Sequence, residues 1–150
     1  MDLILGVGNE LRGDDGVGAR VVGLLPPRAG VETGVVHQLT PELADRLCVA
    51  GRVLFVDAHV AGDAVRLSPL KPTATASVLG HALTPEALLG WTWVIHGRAP
   101  EGWLLTVPAR SFALGQTLSP ETEGAVPEAC ETVLSWLERQ ASHGVLEEDV

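Results

Sequence analysis

The chain is poor in cysteine and in positive charge, and it has no long apolar run. Each shortage removes a class of protein. Its two cysteines, Cys48 and Cys130, lie far apart and form no C-x-x-C pair. That excludes a disulfide scaffold or a thiol metal knuckle, and flanking Leu47, Val49, Val126 and Val133 make both read as small buried hydrophobes. Only 10 basic residues stand against 19 acidic ones, a formal charge of −9. The basic residues are scattered singly, from Arg12 to Arg139, so no face could replace counterions on a phosphate backbone, and no nucleic-acid partner is expected. No stretch nears the roughly 20 apolar residues of a membrane span, which argues against membrane insertion. The opening segment has no basic leader, and its apolar run stops at Gly6 after Leu3, Ile4 and Leu5, too short for a signal peptide. A reducing, cytoplasmic location is the simplest expectation.

The common hydrolytic signatures are also missing. There is no H-E-x-x-H, no G-x-S-x-G, and neither cysteine has the setting of a nucleophile. No internal repeat and no linker divides the 150 residues, of which 46% are apolar. One domain over 1–150 is therefore expected, with residues 142–150 a frayed acidic tail.

What is present is an alternation of strand and helix signals. Leu3 to Val7 is a continuous apolar run, as in a strand buried on both faces. Val17, Val21, Leu24 and Leu25 then recur with helical period, with Arg20 pointing away, until Pro26-Pro27 ends the helix. Gly34 to Val36 reads as a weaker strand. Thr40-Pro41-Glu42 carries the cap, proline and acid of a helix start, continued by Leu43 and Leu47. Arg52 to Val56 is the clearest strand, closing at Asp57, and Ala64 to Leu67 is a short edge candidate. Thr84-Pro85-Glu86 opens another helix, Trp103 to Val107 is the last strand, and Ser119-Pro120-Glu121 begins the final helical region. The apolar face of that region is Val126, Cys130, Val133, Leu134 and Leu137. Pro127 predicts a kink or a restart there. The pattern implies an α/β fold: a single three-layer domain with a mainly parallel, twisted sheet of about five strands and helices on both faces.

In such folds chemistry gathers beyond the carboxyl ends of the strands, which points to three loops. The first, Gly6 to Gly18, is Gly-rich between a strand and a helix and suggests dinucleotide binding. However, Leu11 stands where the fingerprint needs glycine, and Asp14 and Asp15 would repel a pyrophosphate at the helix start. Carboxylates there suit a cation or a cap, so one of the pair is expected to cap the helix and leave the other free. The second loop follows Asp57. The third contains His81 in an apolar setting before Thr84; alone, each of these two residues also has a structural reading. The remaining histidines, His37, His59, His96 and His143, have no spacing that suggests a local metal site.

Taken together, Gly6-Val7-Gly8-Asn9 with Gly13-Asp14-Asp15-Gly16-Val17-Gly18, then Val53 to Ala58, Gly80 to Pro85 with Leu88-Leu89, and finally Leu104 to Pro108 with Leu118 to Pro120 resemble the ordered motifs of hydrogenase maturation endopeptidases. The likeness covers roughly residues 3 to 137. It implies a peptidase that removes the C-terminal extension of a nickel-containing hydrogenase large-subunit precursor after nickel insertion. Carried over by position, the metal-binding trio is Asp15, Asp57 and His81, with Asp15 and Asp57 also the catalytic candidates. Nickel is then carried by the substrate, with cadmium or zinc able to stand in for it in vitro, and no other cofactor is implied. One departure matters: some relatives have an aspartate and two glycines before the threonine matching Thr40, where this chain has His37-Gln38-Leu39. The competing readings are a general metallopeptidase with a resident ion and a nucleotide-binding regulatory module.

Overall fold

Strand β1, Asp2–Val7, is flanked by parallel strands and covered by a core on each face, and burial on both faces accounts for its unbroken apolar run. Its neighbours are β2, Val31–Val36, and β3, Arg52–His59. β5, Glu101–Pro108, extends the parallel set beyond β3, and β4, Arg66–Leu70, closes that edge in the antiparallel sense. The order across the sheet is β2-β1-β3-β5-β4. The computed structural model describes residues 1–73, 83–115 and 117–148, with side chains described only as far as residue 139.

Because side chains alternate along a strand, β1 and β3 feed two cores. Leu3, Leu5, Val7, Val53 and Phe55 face one side and pack with Leu43, Leu47, Leu88 and Leu89. The latter four come from the turn Pro41–Leu43, from α2, Ala44–Leu47, and from α3, Pro85–His96. Ile4, Leu54, Val56, Leu105 and Val107 face the other side, against α1, Val17–Leu24, and α4, Pro120–Glu148. The expected three layers, with helices on both faces, are thus present. Among the described residues no helix is long and apolar enough to cross a membrane.

Helix α1 lies unusually close to the sheet, and glycine is the reason. A Cβ on Gly18 would run into the carbonyl oxygen of Val56, and one on Gly6 would lie 2.6 Å from the carbonyl oxygen of Gly18. On the far side of the molecule Arg52 is buried yet fully engaged. It donates to both oxygens of Asp2 at 3.1 and 3.0 Å and to the Trp136 carbonyl at 3.1 Å, and its guanidinium stacks 3.6 Å from the Trp136 ring. A buried charge persists only with such compensation, which here ties β1, β3 and α4 together.

Several local expectations need correction. β3 does not stop at Asp57 but continues to His59, because β5 keeps pairing with it as far as Pro108. β4 lies two to three residues later than Ala64–Leu67; its Pro69 is tolerated because an edge strand has one unpaired side. In α1 Leu24 is exposed, and Val22 is buried beside Val21 instead. α4 runs through Pro127 without a restart. The carbonyl that loses its partner there is that of Glu123, and Glu123, Gly124 and Pro127 are all exposed, so water can replace the missing N–H. On the same helix the buried face is Val126, Ala129, Val133, Trp136 and Leu137, with Leu134 turned outward. Both cysteines are half-buried rather than buried.

Candidate functional site

Strands β2 and β1 end level, Val7 pairing with Val36, while β3 pairs with β1 as far as Val56 and runs on beside β5 to His59. The chain leaving β1 stays bound to its neighbour, with the Gly8 N–H donating to the Val36 carbonyl at 2.9 Å. Gly8 takes φ of 136°, open to glycine and strained for other residues, and a Cβ there would collide with the carbonyl oxygen of Asp15. The glycine therefore lets the Asp15 turn close over the end of β1.

The two adjacent aspartates of that turn have separate tasks. A 3-10 turn, Gly13–Gly16, intervenes before α1, whose cap position is Gly16, and no side chain caps the helix. Capping by either aspartate is thus not what the structure has. Asp14 is wholly buried instead. It accepts from the N–H groups of Arg110 (2.6 Å), Ser111 (2.8 Å) and Ser119 (2.6 Å) and from the Ser119 hydroxyl (2.7 Å). Burial pushes its pKa upward, but those four donors outweigh it and hold the carboxyl down at about 2. Asp14 is a brace that fixes the loop after β5 and the start of α4.

Asp15 turns the other way. One oxygen accepts from the Asn9 N–H at 2.6 Å, and its side chain faces a small cleft. Asp57 lines the same cleft from β3, with one oxygen accepting from the Ala58 N–H at 2.8 Å. Burial raises the Asp57 pKa to about 6; the Ala58 N–H opposes the rise and the nearby Asp15 charge adds to it. A carboxyl group titrating near neutrality in a cleft is a functional candidate with a physical cause.

The cleft, about 190 Å³, is completed by Val7, Gly8, His37, Gln38, Leu39, Leu83 and Pro85. His81 lies outside the described residues. Leu83, two positions on, borders the cleft and its N–H reaches the Leu39 carbonyl at 3.4 Å. Thr84 caps α3 as expected, accepting from the Ala87 N–H at 3.1 Å. Two of the three candidates, Asp15 and Asp57, therefore share one cleft. Among the described residues no three His, Cys, Asp or Glu side chains stand close enough to hold an ion by themselves. A larger hollow of about 570 Å³ lies behind the Asp15 turn, between α1 and α4. Of its charged groups, Arg20 and Glu123 pair with each other at 3.0 Å, and Glu10 also lines it.

His37, which also lines the cleft, belongs to no motif in the sequence. It follows the weaker strand β2, and the rule of looking beyond strand ends, applied to every strand, would have found it. The hold of Asp14 on residues 110 to 119 had no local signal, because its partners lie about a hundred positions away.

No protein-family model matches the chain, and no curated protein matches it. Solved structures do. The hydrogenase maturating endopeptidase HybD of E. coli is 24% identical and superposes with a TM-score of 0.72 over 93% of each chain. A hydrogenase 2 maturation peptidase from a Thaumarchaeota archaeon is 28% identical, with a TM-score of 0.64 over 91% of this chain and 97% of that one. The [NiFe] hydrogenase maturation protease HybD of Thermococcus kodakarensis is 22% identical, with a TM-score of 0.67 over 90% of this chain and 97% of that one. The resemblance carried by the motifs is borne out: the chain has the fold of the hydrogenase maturation endopeptidases, a class of hydrolases.

Proposed function

We propose that the chain is the endopeptidase that trims the C-terminal extension from a nickel-containing hydrogenase large-subunit precursor, and that it recognises the nickel already seated there. The observation that carries this reading is the meeting of Asp15 and Asp57 in one cleft at the carboxyl end of the sheet, bordered by Leu83 and Pro85, which follow His81 in the sequence. Two carboxylates and an imidazole suit a first-row divalent ion and leave coordination positions for the ligands it brings.

In this reading the ion draws the scissile region to the cleft and polarises what lies beside it. A water beside the ion is the attacking group, and Asp15 and Asp57 are the carboxylates in the cleft that could take its proton. The new chain end is then released from the enzyme with the matured subunit. Nickel-loaded precursor incubated with this protein should lose a defined C-terminal peptide by mass measurement. Intact precursor after prolonged incubation with folded protein would refute the assignment.

A further inference from the structure

We propose that the open edge of β2 receives the precursor's C-terminal extension as an added strand, running antiparallel to β2 and away from the cleft; the inference rests on the peptidase reading above. Three observations converge. First, the backbone pairing of β2 shows which of its groups are left over. The Gly30 carbonyl accepts from the Asp2 N–H at 2.8 Å and the Val36 carbonyl from the Gly8 N–H at 2.9 Å. In a parallel ladder alternate residues turn both backbone groups to the same neighbour, so Glu32, Gly34 and Val36 serve β1 while Val31, Thr33 and Val35 face outward. The Val31 N–H is taken by the Arg28 carbonyl at 3.2 Å. The Val31 carbonyl and both groups of Thr33 and Val35 have no backbone partner among the described residues, and Thr33 and Val35 are exposed.

Second, this edge lacks the devices that keep an exposed strand from pairing. The opposite edge, β4, is interrupted by Pro69, which has no N–H to offer. β2 has no proline or lysine, and its one charge, Glu32, is turned back onto Arg46 of α2 at 3.0 Å. Third, β2 leads straight into the cleft, since His37 follows Val36 and lines it together with Asp15 and Asp57. That continuity names the occupant. With the scissile bond in the cleft, the part before the bond is held by the body of the precursor and its ion, and only the tail beyond it is free to extend. Leaving the cleft along β2, the tail passes from Val36 to Val31, about 20 Å at roughly 3.3 Å per residue. It ends over an apolar hollow of about 340 Å³ lined by Leu25, Pro26, Val31, Thr33 and Leu134. Main-chain bonds to Thr33 and Val35 supply affinity with little demand on the tail's sequence, and the hollow selects an apolar side chain about six residues beyond the cut.

The test uses two probes on the full chain: a synthetic peptide with the sequence of the extension, and the nickel-loaded precursor. With the peptide added, amide hydrogen exchange followed by NMR should slow on the order of tenfold at Thr33 and Val35 and stay unchanged at Gly34, which already bonds to β1. Thr33→Pro and Val35→Pro each remove an outward N–H without touching the β1 pairing. Each should raise KM for the precursor on the order of tenfold, with kcat and the circular dichroism spectrum unchanged. Val35→Ala keeps the N–H and should process normally. Thr33 and Val35 amides that stay unprotected, with normal KM in the folded proline variants, overturn the proposal while wild-type cleavage keeps the peptidase reading; if the proline variants unfold, the exchange result alone decides. Protection of these amides in the protein by itself, with a doubled mass by light scattering, puts a second copy on the edge and also overturns it. No cleavage of the loaded precursor by wild type overturns the peptidase reading and this inference with it.

Discussion

Replacing Asp57 by Asn should make the protein more stable near neutral pH while abolishing its proposed activity. The ordinary aspartate pKa is 3.8, and burial lifts that of Asp57 to about 6. The folded state therefore holds the Asp57 proton more tightly than the unfolded chain does. Below pH ~4 both states are protonated and the residue is neutral in its effect. As pH rises through 4 to 6 the unfolded chain releases the proton first, so stability falls, and above 6 the fold bears the full cost of a buried negative charge. At about 1.4 kcal/mol per pH unit the ceiling is about 3 kcal/mol; with Asp57 only partly buried, about 1–3 kcal/mol is expected. Asn keeps an oxygen for the Ala58 N–H but carries no charge. Urea unfolding of wild type and Asp57→Asn at pH 3.5, 5 and 8 reads the effect directly. The variant's advantage should be near zero at pH 3.5 and largest at pH 8. A variant less stable than wild type at pH 8, or an advantage that does not depend on pH, refutes the reasoning.

Asp14→Asn should cost stability, by about 2–4 kcal/mol, because the amide –NH₂ is set against N–H donors that now point at a carboxylate. With its pKa held at about 2, Asp14 stabilises the fold fully above pH ~4, and that share is lost as pH falls toward 2; denaturation curves across that range check it. Gly8→Ala should lower both thermal stability and cadmium affinity, since a Cβ there collides with the Asp15 backbone; a variant that keeps wild-type affinity contradicts the role given to the Gly8 turn. Asp15→Asn and His81→Ala should each abolish precursor processing with the circular dichroism spectrum unchanged, and retained processing in either removes that residue from the trio.

The sequence made some features legible because their causes are local. The two-faced burial of β1 and β3 wrote Leu3 to Val7 and Val53 to Val56 as apolar runs, and Thr84 announced the α3 cap it makes. Asp57 was found because it lies near the end of a strand with a strong signature. His37 belongs to no motif, and because β2 is an edge strand, with only Val31, Gly34 and Val36 half-buried, its end has no strong signature. The separate tasks of Asp14 and Asp15 were also out of reach. A helix start favours either aspartate, and only the return of residues 110 to 119 makes Asp14 the buried brace. Pro127 misled for a related reason: a proline's cost in a helix depends on whether its orphaned carbonyl meets water, which the local sequence does not state.

The most direct test of the account compares the same hydrogenase large-subunit precursor with and without nickel. Equal amounts of the two forms are incubated with this protein, and release of the C-terminal peptide is followed by mass spectrometry, with Asp57→Asn as the inactive control. Each ~1.4 kcal/mol that the ion contributes to binding favours the loaded form tenfold. The account predicts cleavage of nickel-loaded precursor and none of the empty form over the same time. Equal cleavage of both forms would contradict recognition through the ion.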